Sequence, residues 1–213
     1  MKGGRRDGSA ARKLPRKDAS EKAKKNMAIR VYIDQGHNPS NPNTGAEWYG
    51  LREQDVTYRV GRELFTLLQN DPDFTPRLSR PTPETQLGTS NATSLSTRTN
   101  QANTWGADLF LSIHTNASLD TSANGTESLV YRIPSTAADI AGAIQTNLTA
   151  LTGFRNRGVL ARPGLWVLRK TRMPAVLTEL GFLSNPSEAA QMNENPALFA
   201  EGIYRGLVAY YGV

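Results

Sequence analysis

At 213 residues, the chain is long enough for one well-buried domain with some surplus and too short for two ordinary ones. It contains no cysteine, which excludes disulfides, thiolate metal sites and cysteine nucleophiles and leaves histidine and carboxylate as metal ligands. The formal net charge of +6 sits in residues 1–26, which carry ten Lys/Arg against three acids; the remainder has fifteen against sixteen, a net of −1.

Such a basic, apolar-poor segment cannot bury enough surface to fold, so residues 1–26 are expected to form a disordered tail, with adhesion to a polyanion as the alternative reading. No stretch approaches the roughly 18 apolar residues of a membrane span, and the basic start is not followed by the apolar core of a signal peptide. No membrane association is therefore expected, and no export signal is read.

From Met27 onward short apolar runs alternate with longer amphipathic stretches, which is how βα units read. The elements begin with a strand at Ile29–Asp34, a helix at Arg52–Gln69 and a strand at Thr75–Ser79. A surface loop rich in Pro, Thr, Ser and Gly covers Arg80–Asn91. A helix at Leu95–Trp105 follows, with Ser94 where an N-cap belongs, then strands at Asp108–Ile113 and Glu127–Arg132. Thr136–Thr152 reads as a helix, and Leu165–Arg169 and Ala175–Glu179 as strands. The chain closes with helices at Pro186–Asn193 and Pro196–Tyr211, the latter with Pro196 in its first turn and Phe199, Ile203, Leu207 and Tyr210 at helical spacing. The expected fold is α/β: a single three-layer domain over residues 27–213, with a mostly parallel twisted sheet and helices on both faces.

Only two histidines occur, His37 and His114, and each follows an apolar strand. In open α/β sheets functional groups gather at the carboxyl ends of strands, so both can face one crevice as a metal or acid–base pair. A catalytic zinc wants three protein ligands, and two histidines with one carboxylate are a standard set. Glu47, Glu53 and Asp55 all lie near the start of the first helix, and spacing does not choose among them. A first-turn carboxylate serving the helix dipole is the plain alternative for each. A further acid, Glu179, ends the apolar run Ala175-Val176-Leu177-Thr178. Buried there it must be paired, contact a metal site or titrate high.

These residues resemble the zinc amidases of the N-acetylmuramoyl-L-alanine amidase type 3 group, over about Ile29 to the C-terminus. Asp34-Gln35-Gly36-His37 is similar to that family's Asp-x-Gly-His strand end, Gly50-Leu51-Arg52-Glu53 to its Gly-x-x-Glu element, Ser112-Ile113-His114-Thr115-Asn116 to its Ser-x-His-x-Asn, and Glu179-Leu180-Gly181-Phe182-Leu183-Ser184-Asn185 to its Glu-x-Gly-Phe-x-Ser-Asn. Arg98-Thr99-Asn100, Arg157-Gly158, Val167-Leu168-Arg169 and Met173-Pro174-Ala175 match lesser features. Gln35 and Asn38 depart from the more usual proline and glycine, which bears on loop stiffness and substrate preference.

The resemblance implies a Zn²⁺ held by His37, Glu53 and His114, selecting Glu53 over Glu47 and Asp55, with Glu179 as general base. It implies hydrolysis of the amide between N-acetylmuramic acid and L-alanine in peptidoglycan, by a monomer acting on the bacterial cell wall after secretion or lysis, as autolysins and endolysins do. Asp34 and Asn116 are then candidates for orienting the imidazoles, and Arg157 and Arg169 for holding stem-peptide carboxylates, with a solvated surface role as their alternative. Pro134 to Leu160 has room for one ordinary helix and no inserted regulatory helix of the kind some family members lay over the metal, so an open site is expected. Competing readings are a zinc carboxypeptidase acting on the same stem peptides, a non-catalytic wall-binding module, and a nucleic-acid binder driven by the tail. The last is disfavoured by the absence of basic excess in the folded part.

Overall fold

The structure, a computed structural model, describes residues 27–213; the expected basic tail lies outside them. Six strands form one sheet in the order β4 (Phe74–Leu78), β1 (Ile29–Gln35), β5 (Leu109–Asn116), β8 (Ala175–Phe182), β6 (Thr126–Val130), β7 (Asn156–Ala161). All neighbours run parallel except β6 against β8. A two-stranded hairpin, β2 (Glu47–Trp48) with β3 (Leu51–Arg52), stands apart from the sheet.

Alternation along the strands sends residues to two apolar layers. Val31, Ile33, Leu109, Leu111, Ile113, Val176 and Leu180 meet α1 (Glu53–Gln69), α3 (Thr136–Thr152) and α6 (Pro196–Tyr211) through side chains such as Val60, Leu64, Ile144 and Ile203. Tyr32, Phe110, Leu129, Ala175 and Leu177 meet α2 (Asn91–Trp105) and α4 (Trp166–Lys170) through Ala102, Val167 and Leu168. A sixth helix, α5 (Pro186–Glu194), follows β8. The expected three-layer domain is thus present, and by the same alternation Asp34, Ser112, His114, Glu127 and Glu179 belong to the α2/α4 face.

Three local expectations are corrected. Leu165–Arg169, expected as a strand, is mostly the short helix α4, whose Val167 and Leu168 are buried against the sheet. A strand at Asn156–Ala161 was not expected; it is the edge of the sheet, half-buried from Gly158 to Leu160 and exposed at its two ends. Helix α2 begins at Asn91 and is capped by Ser90, which accepts from the Thr93 N–H, while Ser94 is buried inside the helix.

Candidate metal and catalytic site

The carboxyl ends of β1 and β5 and the start of α1 converge on one cluster. The first strand leads into Gly36, whose N–H continues the ladder to the Ile113 carbonyl at 2.9 Å. A β-carbon at Gly36 would lie 2.5 Å from His114 Cε1, so only glycine lets that ring approach. His37 then turns the chain at φ 65°, a left-handed conformation uncommon outside glycine. What holds it there is Arg98 from α2. Its guanidinium donates to the His37 carbonyl at 2.5 Å, the Gln35 carbonyl at 2.7 Å and Asp34 Oδ1 at 2.6 Å. Arg98 and Asp34 are both fully buried. Burial pushes the Asp34 carboxyl upward, but the Arg98 charge and hydrogen bonds from Arg98 and Ser112 outweigh it and leave the group below its usual range.

Glu53 is the first residue of α1, reached through the β2–β3 hairpin and tied by its N–H to the Ala46 carbonyl at 2.9 Å. Its Oε1 lies 3.0 Å from His114 Nδ1 and accepts the Thr115 N–H at 3.0 Å, while Oε2 lies 3.1 Å from His37 Nε2 and accepts the Ala46 N–H at 3.1 Å. Burial alone would raise the Glu53 carboxyl; hydrogen bonding to His114 and His37 prevails and holds it far below the carboxylate range. The other two acids near this helix start are elsewhere: Asp55 pairs with Arg52 at 2.7 Å on the surface, and Glu47 is exposed opposite Arg52 in the hairpin.

One ligand atom from each of His37, Glu53 and His114 falls within 4.8 Å of the others. Two imidazoles and a carboxylate are a donor set suited to a divalent transition metal. Two backbone N–H groups already fix the carboxylate plane, as oriented metal ligands require. The residues therefore fit a metal ion. A cavity of about 150 Å³ opens beside the two histidines, walled by Leu95, Leu165, Trp166 and Leu177.

Glu179 stands in β8 directly across from His114 and, on its other side, from Glu127 in β6. Its Oε2 is buried without a hydrogen-bond partner among the described residues. Burial first, then the negative charges of Glu53 and Glu127, push its carboxyl up to about 8.

Two expected imidazole partners act otherwise. Asp34 is taken up by Arg98 and Ser112, and the Asn116 amide donates to Glu127 Oε1 at 3.2 Å. Arg169 stacks over Trp166 at 5.8 Å and borders a hollow at the Ala175 end of β8, away from the cluster. Arg157 is at the edge of the site, bonded to Glu127 at 2.9 Å. Glu127 itself was not anticipated: its strand Thr126–Val130 is buried throughout, but it is flanked by Thr126 and Ser128 and does not stand out from an apolar run as Glu179 does.

This is a mostly parallel three-layer α/β domain with a His–carboxylate–His cluster at its strand ends that could hold a metal ion, and a high-titrating glutamate alongside. The profile of the N-acetylmuramoyl-L-alanine amidase family (Amidase_3) matches residues 31–209, and the chain belongs to that family. It is 35% identical over 180 residues to N-acetylmuramoyl-L-alanine amidase CwlM of Bacillus licheniformis, covering 84% of this chain and 65% of that protein. It is 36% identical over 190 residues to N-acetylmuramoyl-L-alanine amidase LytC of Bacillus subtilis, covering 85% of this chain and 35% of LytC. The chain thus spans less than two thirds of these relatives. Among solved structures, an N-acetylmuramoyl-L-alanine amidase from Clostridium difficile 630 superposes with a TM-score of 0.77 at 30% identity, over 87% of this chain and 97% of that one.

Proposed function

We propose that this chain hydrolyses the amide between N-acetylmuramic acid and L-alanine in bacterial peptidoglycan, with Zn²⁺ held by His37, Glu53 and His114 and with Glu179 as general base. The observation that carries the reading is the placement of an unpartnered, high-titrating carboxylate one strand from a converged histidine–carboxylate–histidine set. Family membership and the names of the relatives supply the bond.

When bound, zinc supplies Lewis-acid polarisation of the scissile carbonyl and acidification of water. Glu179 takes a proton from the attacking water and delivers it to the departing amine nitrogen, a role worth roughly a hundred- to ten-thousand-fold. Burial and the charges of Glu53 and Glu127 raise this carboxyl above the ordinary range, which makes it a stronger base toward the proton of the attacking water. Glu53, held by Thr115 and Ala46, and His37, held through its carbonyl by Arg98, keep the ligand set assembled before substrate arrives. All four residues come from one chain, so a single copy suffices, and the cell wall is the place of action.

Mass spectrometry of purified peptidoglycan digested with the protein, with and without a chelator, tests this. Release of intact stem peptides with a free L-alanine amine, lost on chelation and restored by zinc, is expected. Cleavage between stem residues would instead establish a carboxypeptidase or endopeptidase, and no cleavage would favour a binding module.

A further inference from the structure

The sheet edge beside Glu179 carries a feature that metal binding and proton transfer do not use. Between the pairs Thr126–Asn156 and Ser128–Val159 the β6–β7 register slips, so that Arg157 and Gly158 together oppose the single residue Glu127. Gly158 supplies the φ of +87° that this bulge requires. Bulges of this kind re-aim a side chain next to functional sites. The side chain re-aimed here is Arg157. Its Nε donates to Glu127 Oε2 at 2.9 Å, one terminal nitrogen donates to the Asn124 carbonyl at 3.2 Å, and its guanidinium lies 5.0 Å from the Phe182 ring. Glu127 is in turn fixed through its other oxygen by Asn116.

The guanidinium is therefore oriented from three sides, yet its remaining terminal nitrogen has no acceptor among the described residues and the side chain is one-third exposed, at 33%. A planar cation immobilised before binding, with an open donor edge, is what carboxylate recognition asks for. Its location narrows which carboxylate. Glu127 is one strand over from Glu179, and Arg157 belongs to the next strand. Two strand spacings are about 9.5 Å, and a peptide extended from the scissile bond covers at most about 3.3–3.6 Å per residue.

We propose that Arg157, aimed by Glu127 and the β7 bulge, binds a free carboxylate on the second or third residue of the stem peptide and so sets which peptidoglycan is cleaved. The proposal rests on the amidase reading. The full chain is assayed on three muropeptides that differ only in their side carboxylates: both free, the second-residue carboxylate amidated, or the third amidated. One of the two amidations should raise KM roughly ten- to a hundredfold, the range of a charged hydrogen bond, with little change in kcat; which one tells the position bound. In Arg157→Gln the KM difference between substrates should collapse, and in Glu127→Gln, which keeps the shape but frees the guanidinium, it should shrink. Arg157→Lys should recover part of it. Equal KM values for all three substrates with the unmutated protein would overturn the subsite without needing any variant to fold. So would an undiminished preference in an Arg157→Gln protein of unchanged melting temperature. Cleavage of none of the three would overturn the amidase reading instead.

Discussion

Glu53 and Glu179 belong to one site, and the residues around them treat them in opposite ways. On the β1–β5 side, Glu53 has both oxygens engaged by two backbone N–H groups and two imidazoles. On the β8–β6 side, Glu179 has a buried oxygen with no hydrogen-bond partner among the described residues and two acids for electrostatic company. Both are removed from water, so burial alone would raise both; the difference is entirely in what surrounds them. A carboxylate saturated with donors stays charged and can ligate a cation, whereas one left without them can bind and release a proton near neutral pH. The proposed division of labour between ligand and base rests on these hydrogen bonds rather than on residue type.

The comparison breaks most visibly at the ligand side. In His114→Ala, metal content should fall from about one ion per chain to almost none, and turnover by more than about two decades, as read by elemental analysis and muropeptide hydrolysis. Next in size is the support beneath His37. Arg98→Met leaves Asp34 buried and unpaired, which should cost about 3–5 kcal/mol in chemical unfolding. Arg52→Ala, which removes an exposed pair with Asp55, should cost under about 1 kcal/mol.

A pH dependence sharpens the β8 side. With metal removed, the folded-state pKa of Glu179 lies above its unfolded value, so the unfolded chain ionises first as pH rises. Stability should therefore fall between about 4.5 and about 8 and level off above. The Glu179→Gln protein, stripped of metal, should lack this decline, and melting curves across that range measure the difference.

How much of this was legible in the sequence differs between the same two sides. His37 and His114 are the two histidines of the sequence and each follows an apolar strand, while Glu179 closes an otherwise apolar run. The choice of Glu53 over Glu47 and Asp55 does not follow from spacing, because it depends on which side chain of a helix start turns inward and which two point to solvent. Arg98 and Glu127 are invisible as site residues until the chain is folded, since their partners are 61 and 30 residues away in sequence. The sheet centre was readable from runs of residues apolar on both faces. The edge was not: Asn156–Ala161 opens with Asn-Arg-Gly, bulges there, and leaves only Val159-Leu160-Ala161 as an apolar run, too short to mark a strand. Leu165–Arg169 misleads for the converse reason, since a short apolar run suits a buried strand or one helical turn equally. Helix α2 starts with Asn-Ala-Thr-Ser, so apolar periodicity begins only at Leu95 and hides its true cap at Ser90.

The central claim is that Glu53 holds the metal and Glu179 moves the proton, and one paired measurement reaches it directly. Glu53→Gln and Glu179→Gln are loaded with zinc, dialysed together, and assayed for bound metal and for turnover of a soluble muropeptide. Glu179→Gln should retain about one zinc per chain while kcat drops by roughly two to four decades, and Glu53→Gln should lose metal and turnover together. Near-normal kcat in Glu179→Gln, or loss of zinc from it as readily as from Glu53→Gln, would contradict the account.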